Sequence, residues 1–239
     1  MTTGPLPIIT SHAACKGHAP ENTLAGIRAA LKHRSDAIEI DLHCTRDGVP
    51  VLIHDETLDR TTDGAGPIAE LTLRQARKLD AGKGERIPTL KEVLDEVSGR
   101  ALMVLEIKGR DIEDEVLAVV RRAKALDYCC VHSFAPKIVE RIRTLEPRMP
   151  ASLLTGGRGV DDVSKLFDLA LSINAQGVAV NHEVVTPELV RAAHLRELRF
   201  STWTVDTEKD VRRVAKAGVD AITSDYPDRV RRWLRSAVR

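Results

Sequence analysis

Aromatic side chains are scarce in this chain: three Phe, two Trp and two Tyr in 239 residues. That is too few to stack successive bases of a nucleic-acid strand or to build an aromatic belt at a membrane surface. Charge of one sign is missing as well. Thirty-six basic residues face 35 acidic ones, a net charge of +1, so no overall field recruits nucleic acid or an anionic membrane. No apolar run reaches membrane-spanning length, which speaks against stable membrane insertion. The first ten residues, Met1 to Thr10, hold neither a basic segment nor a long apolar stretch, so a secretory signal is not expected. Four cysteines, Cys15, Cys44, Cys129 and Cys130, lack the spacing of a zinc site. The adjacent Cys129 and Cys130 point to opposite faces of an expected strand and make poor disulfide partners, so reduced thiols and a cytoplasmic location are expected. No Gly-x-Gly-x-x-Gly turn follows the first apolar run, which weakens a dinucleotide-binding open sheet.

What is present is an alternation. Strand-like runs fall at 7–12, 37–43, 102–108, 128–134, 151–155, 176–181, 199–205 and 220–224. Amphipathic helical stretches separate them at about 22–33, 89–98, 112–126, 136–145, 161–173, 187–196 and 207–217, with a last one at 227–237. Asn22 or Thr23, Thr89 and Thr207 stand where N-caps belong. Parallel strands need crossover connections, so eight strands each followed by a helix predict an α/β fold of the (β/α)8 TIM-barrel type. The 239 residues suit one such domain, with a hairpin and loop insertion at about 44–88 after the second strand.

Within the second run, Ala37-Ile38-Glu39-Ile40-Asp41-Leu42 sets two carboxylates two residues apart. Residues i and i+2 of a strand share a face, so Glu39 and Asp41 stand together and repel unless a cation lies between them. Asp47-Gly48 then reads as a two-residue hairpin turn. Pairing Arg46 with Val49 places His54 opposite Asp41, on the carboxylate face. Leu102 to Lys108 repeats the i, i+2 logic for Glu106 and Lys108, and His12 ends the first strand.

Active sites of such barrels lie at the C-terminal ends of the strands. There the list holds three carboxylates (Glu39, Asp41, Glu106), two histidines (His12, His54), Lys108 and Trp203, the last as a pocket wall or a core aromatic. Three acidic oxygens suit Mg²⁺ or Ca²⁺, whereas zinc would favour the histidines. Two histidines beside a metal offer a general base and a general acid. The lysine supplies fixed charge for an anionic small-molecule substrate, and the set suits phosphoryl chemistry. Gly156-Gly157-Arg158-Gly159 resembles a phosphate cradle but lacks the P-loop lysine and hydroxyl, and reads better as a plain loop.

His12 with Ala19 to Leu24, Ile38 to Asp41, Thr45 to Asp55, Leu58 to Thr62, Glu106-Ile107-Lys108, Trp203 to Asp206 and Ile222 to Pro227 closely resemble the glycerophosphodiester phosphodiesterase family, in order and over nearly the full length. The resemblance implies a TIM barrel, a metal on Glu39, Asp41 and Glu106, His12 and His54 as acid–base pair, and Lys108 on the phosphate of a phosphodiester. It implies release of sn-glycerol 3-phosphate and an alcohol. Alternatives are a lysophospholipase D-like or other phosphodiester hydrolase, or a non-catalytic phosphate-binding barrel. One departure bears on these. The family opens with His-Arg-Gly, whose arginine contacts phosphate, while this chain has His12-Ala13-Ala14. Lys16, in the same loop, is the expected substitute, as a point charge in place of a planar fork. A homo-oligomer is left open.

Overall fold

Eight parallel strands close on themselves in the computed structural model, which describes residues 6–156 and 160–236. They are β1 (Ile8–Ser11), β2 (Ala37–Cys44), β4 (Leu102–Ile107), β5 (Cys129–Ser133), β6 (Ala151–Thr155), β7 (Gly177–Asn181), β8 (Arg199–Trp203) and β9 (Ala221–Ser224). A short ninth strand, β3 (Pro50–Leu52), pairs antiparallel with β2 outside the ring. The pairing of β1 with both β9 and β2 seals the barrel, as the strand–helix alternation predicts. Gly157, Arg158 and Gly159 of the glycine-rich loop, and residues 237–239, lie outside the described residues.

The outer helices start where local chemistry lets them. Thr89 accepts the Glu92 N–H at 3.2 Å while Glu92 accepts the Thr89 N–H at 2.8 Å, a capping box that opens α3 (Leu90–Val97). Thr207 accepts the Asp210 N–H at 3.2 Å and opens α8 (Glu208–Ala217). Thr23, not Asn22, caps α1 (Leu24–Lys32) through the Gly26 N–H. Between β3 and α3 lies α2 (Leu73–Ala76); the remaining helices are α4 (Glu113–Arg122), α5 (Pro136–Leu145), α6 (Val160–Ser172), α7 (Pro187–His194) and α9 (Pro227–Ser236).

Alternation along the strands sorts side chains into two compartments. Ile38, Ile40, Leu42, Met103, Leu105, Ile107, Val131, Val178 and Val180 are buried in the main core, where strands and helices pack. The other parity turns inward, and below the mouth it is mostly small or polar, with Thr10, Cys130, Ser152, Ala179, Ser201 and Thr223 beside Ile8 and Val104. Higher on the same parity come Glu39, Asp41 and Glu106. A separate small core of Val51, Ile53, Leu58, Ile68, Ala76, Ala81 and Ile87 supports the insertion after β2.

The hairpin differs from the expected one by a residue. Leu42 pairs with Leu52, His43 with Val51 and Cys44 with Pro50, so Ile53, not His54, stands opposite Asp41. The cause is a three-residue loop, Arg46-Asp47-Gly48, in place of a two-residue one. Thr45 N–H donates to the Val49 carbonyl at 3.0 Å, Gly48 N–H to the Thr45 carbonyl at 2.9 Å, and Gly48 takes φ +73°. This is a turn followed by a left-handed residue, the usual three-residue hairpin.

Candidate active site

The strand ends enclose a cavity of about 340 Å³ bordered by His12, Glu39, His54, Glu106, Lys108, His132, Phe134 and Trp203, among others. Glu39, Asp41 and Glu106 are all buried. Each offers an oxygen within 4.8 Å of the others, with Asp41 beside Glu106 in the β2–β4 register. Glu39 Oε2 accepts the Ala13 N–H at 2.7 Å, and Oε1 is buried with no hydrogen-bond partner. Asn22 donates from Nδ2 to Asp41 Oδ2 at 2.7 Å and accepts the Asp41 N–H at 3.0 Å. Its backbone at φ +55° permits this reach.

Burial, with the Asp41 and Glu106 charges added, pushes the Glu39 carboxyl well above its ordinary value. Glu106 is pushed up chiefly by burial, against the pull of Lys108. Lys108 Nζ contacts Glu106 and lies 3.3 Å from Asp41 Oδ1. Burial works to lower its pKa, but Asp41 and Glu106 outweigh that and raise it. Three carboxylates against one lysine leave a net negative pocket with an orphaned oxygen. That donor set fits a hard divalent cation, since oxygen ligands are what Mg²⁺ and Ca²⁺ take.

Both histidines are held by a carboxylate. His12 Nδ1 lies 2.7 Å from Asp225 Oδ1, and His54 Nδ1 lies 2.7 Å from Asp55 Oδ1. Carboxylate oxygens accept, so Nδ1 carries a hydrogen in each ring and Nε2 is the nitrogen left to exchange a proton. Arg60 braces Asp55 from Nε at 2.6 Å and reaches Glu21 Oε1 at 2.7 Å from Nη2. Its hydrogen bond is the main reason the Asp55 carboxyl falls to about 2. His54 arrives without the strand pairing expected of it. Ile53 N–H donates to the Asp41 carbonyl at 3.1 Å, β3 has already ended at Leu52, and His43 Nε2 holds the His54 carbonyl at 3.3 Å.

Lys16 is not brought to the pocket wall. Its Nζ sits 3.6 Å from Asp225 Oδ2, on the carboxylate that anchors His12. Trp203 does border the cavity, donating from Nε1 to the Ala179 carbonyl at 3.3 Å, with Phe134 edge-on at 5.6 Å. His132 also borders it, and burial lowers its pKa to about 4, so the ring is neutral. His182 lies elsewhere, against Arg213 and Asp210.

Residues that the sequence reading passed over are Phe134, Asp225 and Asn22. The first two share a signal that was available: each stands two residues past an inward strand residue, Phe134 after His132 and Asp225 after Thr223, as Lys108 stands after Glu106. Asn22 had no such signal, because a loop backbone sets its reach.

A profile of the glycerophosphoryl diester phosphodiesterase family matches residues 12–229. A glycerophosphodiester phosphodiesterase of Caldanaerobacter subterraneus is 32% identical over 234 residues, covering 92% of this chain and 95% of that protein. The crystal structure of a glycerophosphodiester phosphodiesterase from Agrobacterium tumefaciens superposes with a TM-score of 0.83 at 30% identity, covering 93% of this chain and 98% of that one. An Oleispira antarctica phosphodiesterase, solved in complex with the product sn-glycerol-3-phosphate, gives a TM-score of 0.86 at 25% identity over 96% of this chain and 97% of the other. With a closed parallel barrel, a pocket at its strand ends and a match that spans nearly the whole sequence, this chain belongs to the glycerophosphoryl diester phosphodiesterase family.

Proposed function

We propose that the chain hydrolyses glycerophosphodiesters to sn-glycerol 3-phosphate and an alcohol, with His12 and His54 as the proton-transfer pair. The observation that carries this is the matched fixing of both imidazoles. Each has Nδ1 tied to a carboxylate and each borders the cavity that is also lined by Lys108, Glu39 and Glu106, with Asp41 buried beside them. A phosphate binder would have no use for two basic nitrogens so held. Membership of the family supports the same substrate class.

Glu39, Asp41 and Glu106 would hold one divalent cation, Mg²⁺ or Ca²⁺, the two that all-oxygen sites favour. Bound there, such a cation supplies positive charge against the non-bridging phosphate oxygens. Lys108 adds a second positive charge to the same oxygens, and Trp203 with Phe134 forms the apolar wall beside them. One Nε2 takes the proton of the attacking hydroxyl as its oxygen bonds to phosphorus. The other ring, entering protonated, gives its proton to the departing alkoxide as the second P–O bond breaks. The attacking oxygen is either the substrate's own glycerol hydroxyl, giving a cyclic phosphate that water then opens, or water directly. Four free thiols fit a reducing, cytoplasmic setting. No helix among the described residues is long and apolar enough to cross a membrane.

The test is release of glycerol 3-phosphate from glycerophosphocholine with Mg²⁺, Ca²⁺ or EDTA, beside His12→Ala and His54→Ala. Metal-dependent release that falls at least about 100-fold in either variant supports the assignment. Unimpaired release by both would sink it. An analogue without the vicinal hydroxyl separates the routes, because it is inert if that hydroxyl attacks.

A further inference from the structure

Outside the catalytic cavity, His18, His33 and Asp228 bring ligand atoms within 4.8 Å of one another. Three elements contribute one residue each: the loop after β1, the residue closing α1, and the first turn of α9. His18 Nε2 lies 2.8 Å from Asp228 Oδ1. The His18 and His33 rings stack with centroids 4.3 Å apart and planes 29° apart. Tyr226 stands edge-on to His18 at 5.8 Å and is itself covered by the Arg229 guanidinium, 3.9 Å from its centroid. None of the three borders the catalytic cavity.

We propose that this triad is a second metal site, selective for a borderline transition-metal dication of the zinc type and distinct from the carboxylate site. Two imidazole nitrogens and one carboxylate oxygen form a donor set that zinc uses with a fourth position open to water, and that Mg²⁺ and Ca²⁺ do not favour. The His33 ring makes no hydrogen bond among the described residues, so binding there costs it no partner. Bonds of 2.0–2.1 Å to a tetrahedral centre set neighbouring donors about 3.3 Å apart, so the 2.8 Å His18–Asp228 contact opens by roughly 0.5 Å and no donor pair, all being within 4.8 Å, closes by more than about 1.5 Å, with the stacked rings turning to converge. All three groups are partly exposed, which leaves an entry path.

Occupancy would tie the loop after β1 to the start of α9. Those segments are already joined by His12–Asp225 and Lys16–Asp225. The second site therefore clamps the platform on which His12 rests, and Zn²⁺ should raise the melting temperature without entering the catalytic pocket.

The experiment is calorimetric titration of Zn²⁺ into untagged protein held in saturating Mg²⁺, with Glu39→Gln, His18→Ala and His33→Ala alongside. The proposal expects one zinc per chain in the unsubstituted protein and in Glu39→Gln, with affinity at least about tenfold weaker in each histidine variant. Ring-nitrogen NMR of the unsubstituted protein should show Zn²⁺ moving the His18 and His33 signals and leaving those of His12 and His54 in place. That measurement needs no substitution, so a variant that fails to fold does not block the answer. Equal zinc affinity in both histidine variants, loss of binding in Glu39→Gln alone, or unmoved His18 and His33 signals would overturn the second site.

Discussion

Replacing Glu39 by Gln should stabilise the metal-free protein while removing its response to metal. Glu39 Oε2 keeps its 2.7 Å hydrogen bond from Ala13 in either form, because an amide oxygen accepts as a carboxylate does. What changes is Oε1. It is buried without a partner, and the group carrying it faces the charges of Asp41 and Glu106. An amide nitrogen in its place carries no charge and can donate to either neighbour. An unsatisfied buried polar atom costs about 1–3 kcal/mol. For a chain of this size, 1 kcal/mol corresponds to roughly 2–4 °C in melting temperature. The variant should therefore melt roughly 2–12 °C above the unsubstituted protein in EDTA at pH 7.5. With metal at 100 times its Kd, the unsubstituted protein should gain about 2.7 kcal/mol and overtake it, because only the carboxylate form binds. The pH dependence follows from the direction of the shift. A carboxyl whose folded pKa is raised resists ionisation, so its penalty grows as pH rises above the unfolded value and fades as pH falls below the folded one. The EDTA difference should thus shrink toward pH 4. Differential scanning fluorimetry across pH, with and without metal, reads all of this. If Glu39→Gln melts lower in EDTA and gains as much from metal, the carboxylate cluster is not the cation site.

Asp225→Asn should lower kcat by about 10–100-fold with KM nearly unchanged, since an amide no longer fixes the His12 tautomer; steady-state kinetics decide, and an equal rise in KM would contradict a positioning role. His132→Gln should flatten the acid limb of stability. A pKa lowered to about 4 means the unfolded chain binds more protons, so stability is lost as pH falls from about 6.5 toward 4. The limit is about 3 kcal/mol, cut to roughly 1–2 by the solvent of the adjoining cavity. Ala14 sits at φ +67°, and a Cβ on Gly26 would stand 2.8 Å from the Ala14 Cβ. Gly26→Ala should therefore cost about 1–3 kcal/mol alone and much less beside Ala14→Gly, a coupling that urea melts of the four proteins would measure.

How far the sequence was legible depends on whether a feature is carried by periodicity or by loops. The eight strands follow from apolar runs, and β2 carries its own parity signal in Glu39 and Asp41, so barrel and carboxylate cluster are both readable. The hairpin register was not, because a two-residue and a three-residue loop around Asp47-Gly48 look alike until Thr45 bonds to Val49. His54 reaches the pocket regardless, since the chain leaves the strand after Leu52 and that exit, not cross-strand pairing, carries it. Lys16 shows the converse. It has the right charge and loop, yet its Nζ stands 3.6 Å from Asp225 Oδ2 and it does not border the cavity, since one ion pair is enough to redirect a flexible side chain.

The His12-Ala13-Ala14 departure can be divided by which atoms it touches. Ala13 gives its N–H to Glu39 Oε2 at 2.7 Å, and Ala14 gives its N–H to the Glu39 carbonyl at 2.7 Å. Both contacts are made by backbone, so the loop orients the carboxylate whatever side chains it carries. Left-handed φ values at positions 13 and 14 serve that geometry, at a cost of roughly 1–2 kcal/mol for each residue that is not glycine. Only the guanidinium is gone. Among the described residues that border the cavity, Lys108 is the one lysine or arginine, so the phosphate contact we propose falls on it alone. Ala13→Arg should then raise kcat/KM by about 10–100-fold, the worth of one charged hydrogen bond, with the larger gain in a Lys108→Ala background. The same modest gain in both backgrounds would mean that arginine and lysine do not serve the same oxygens.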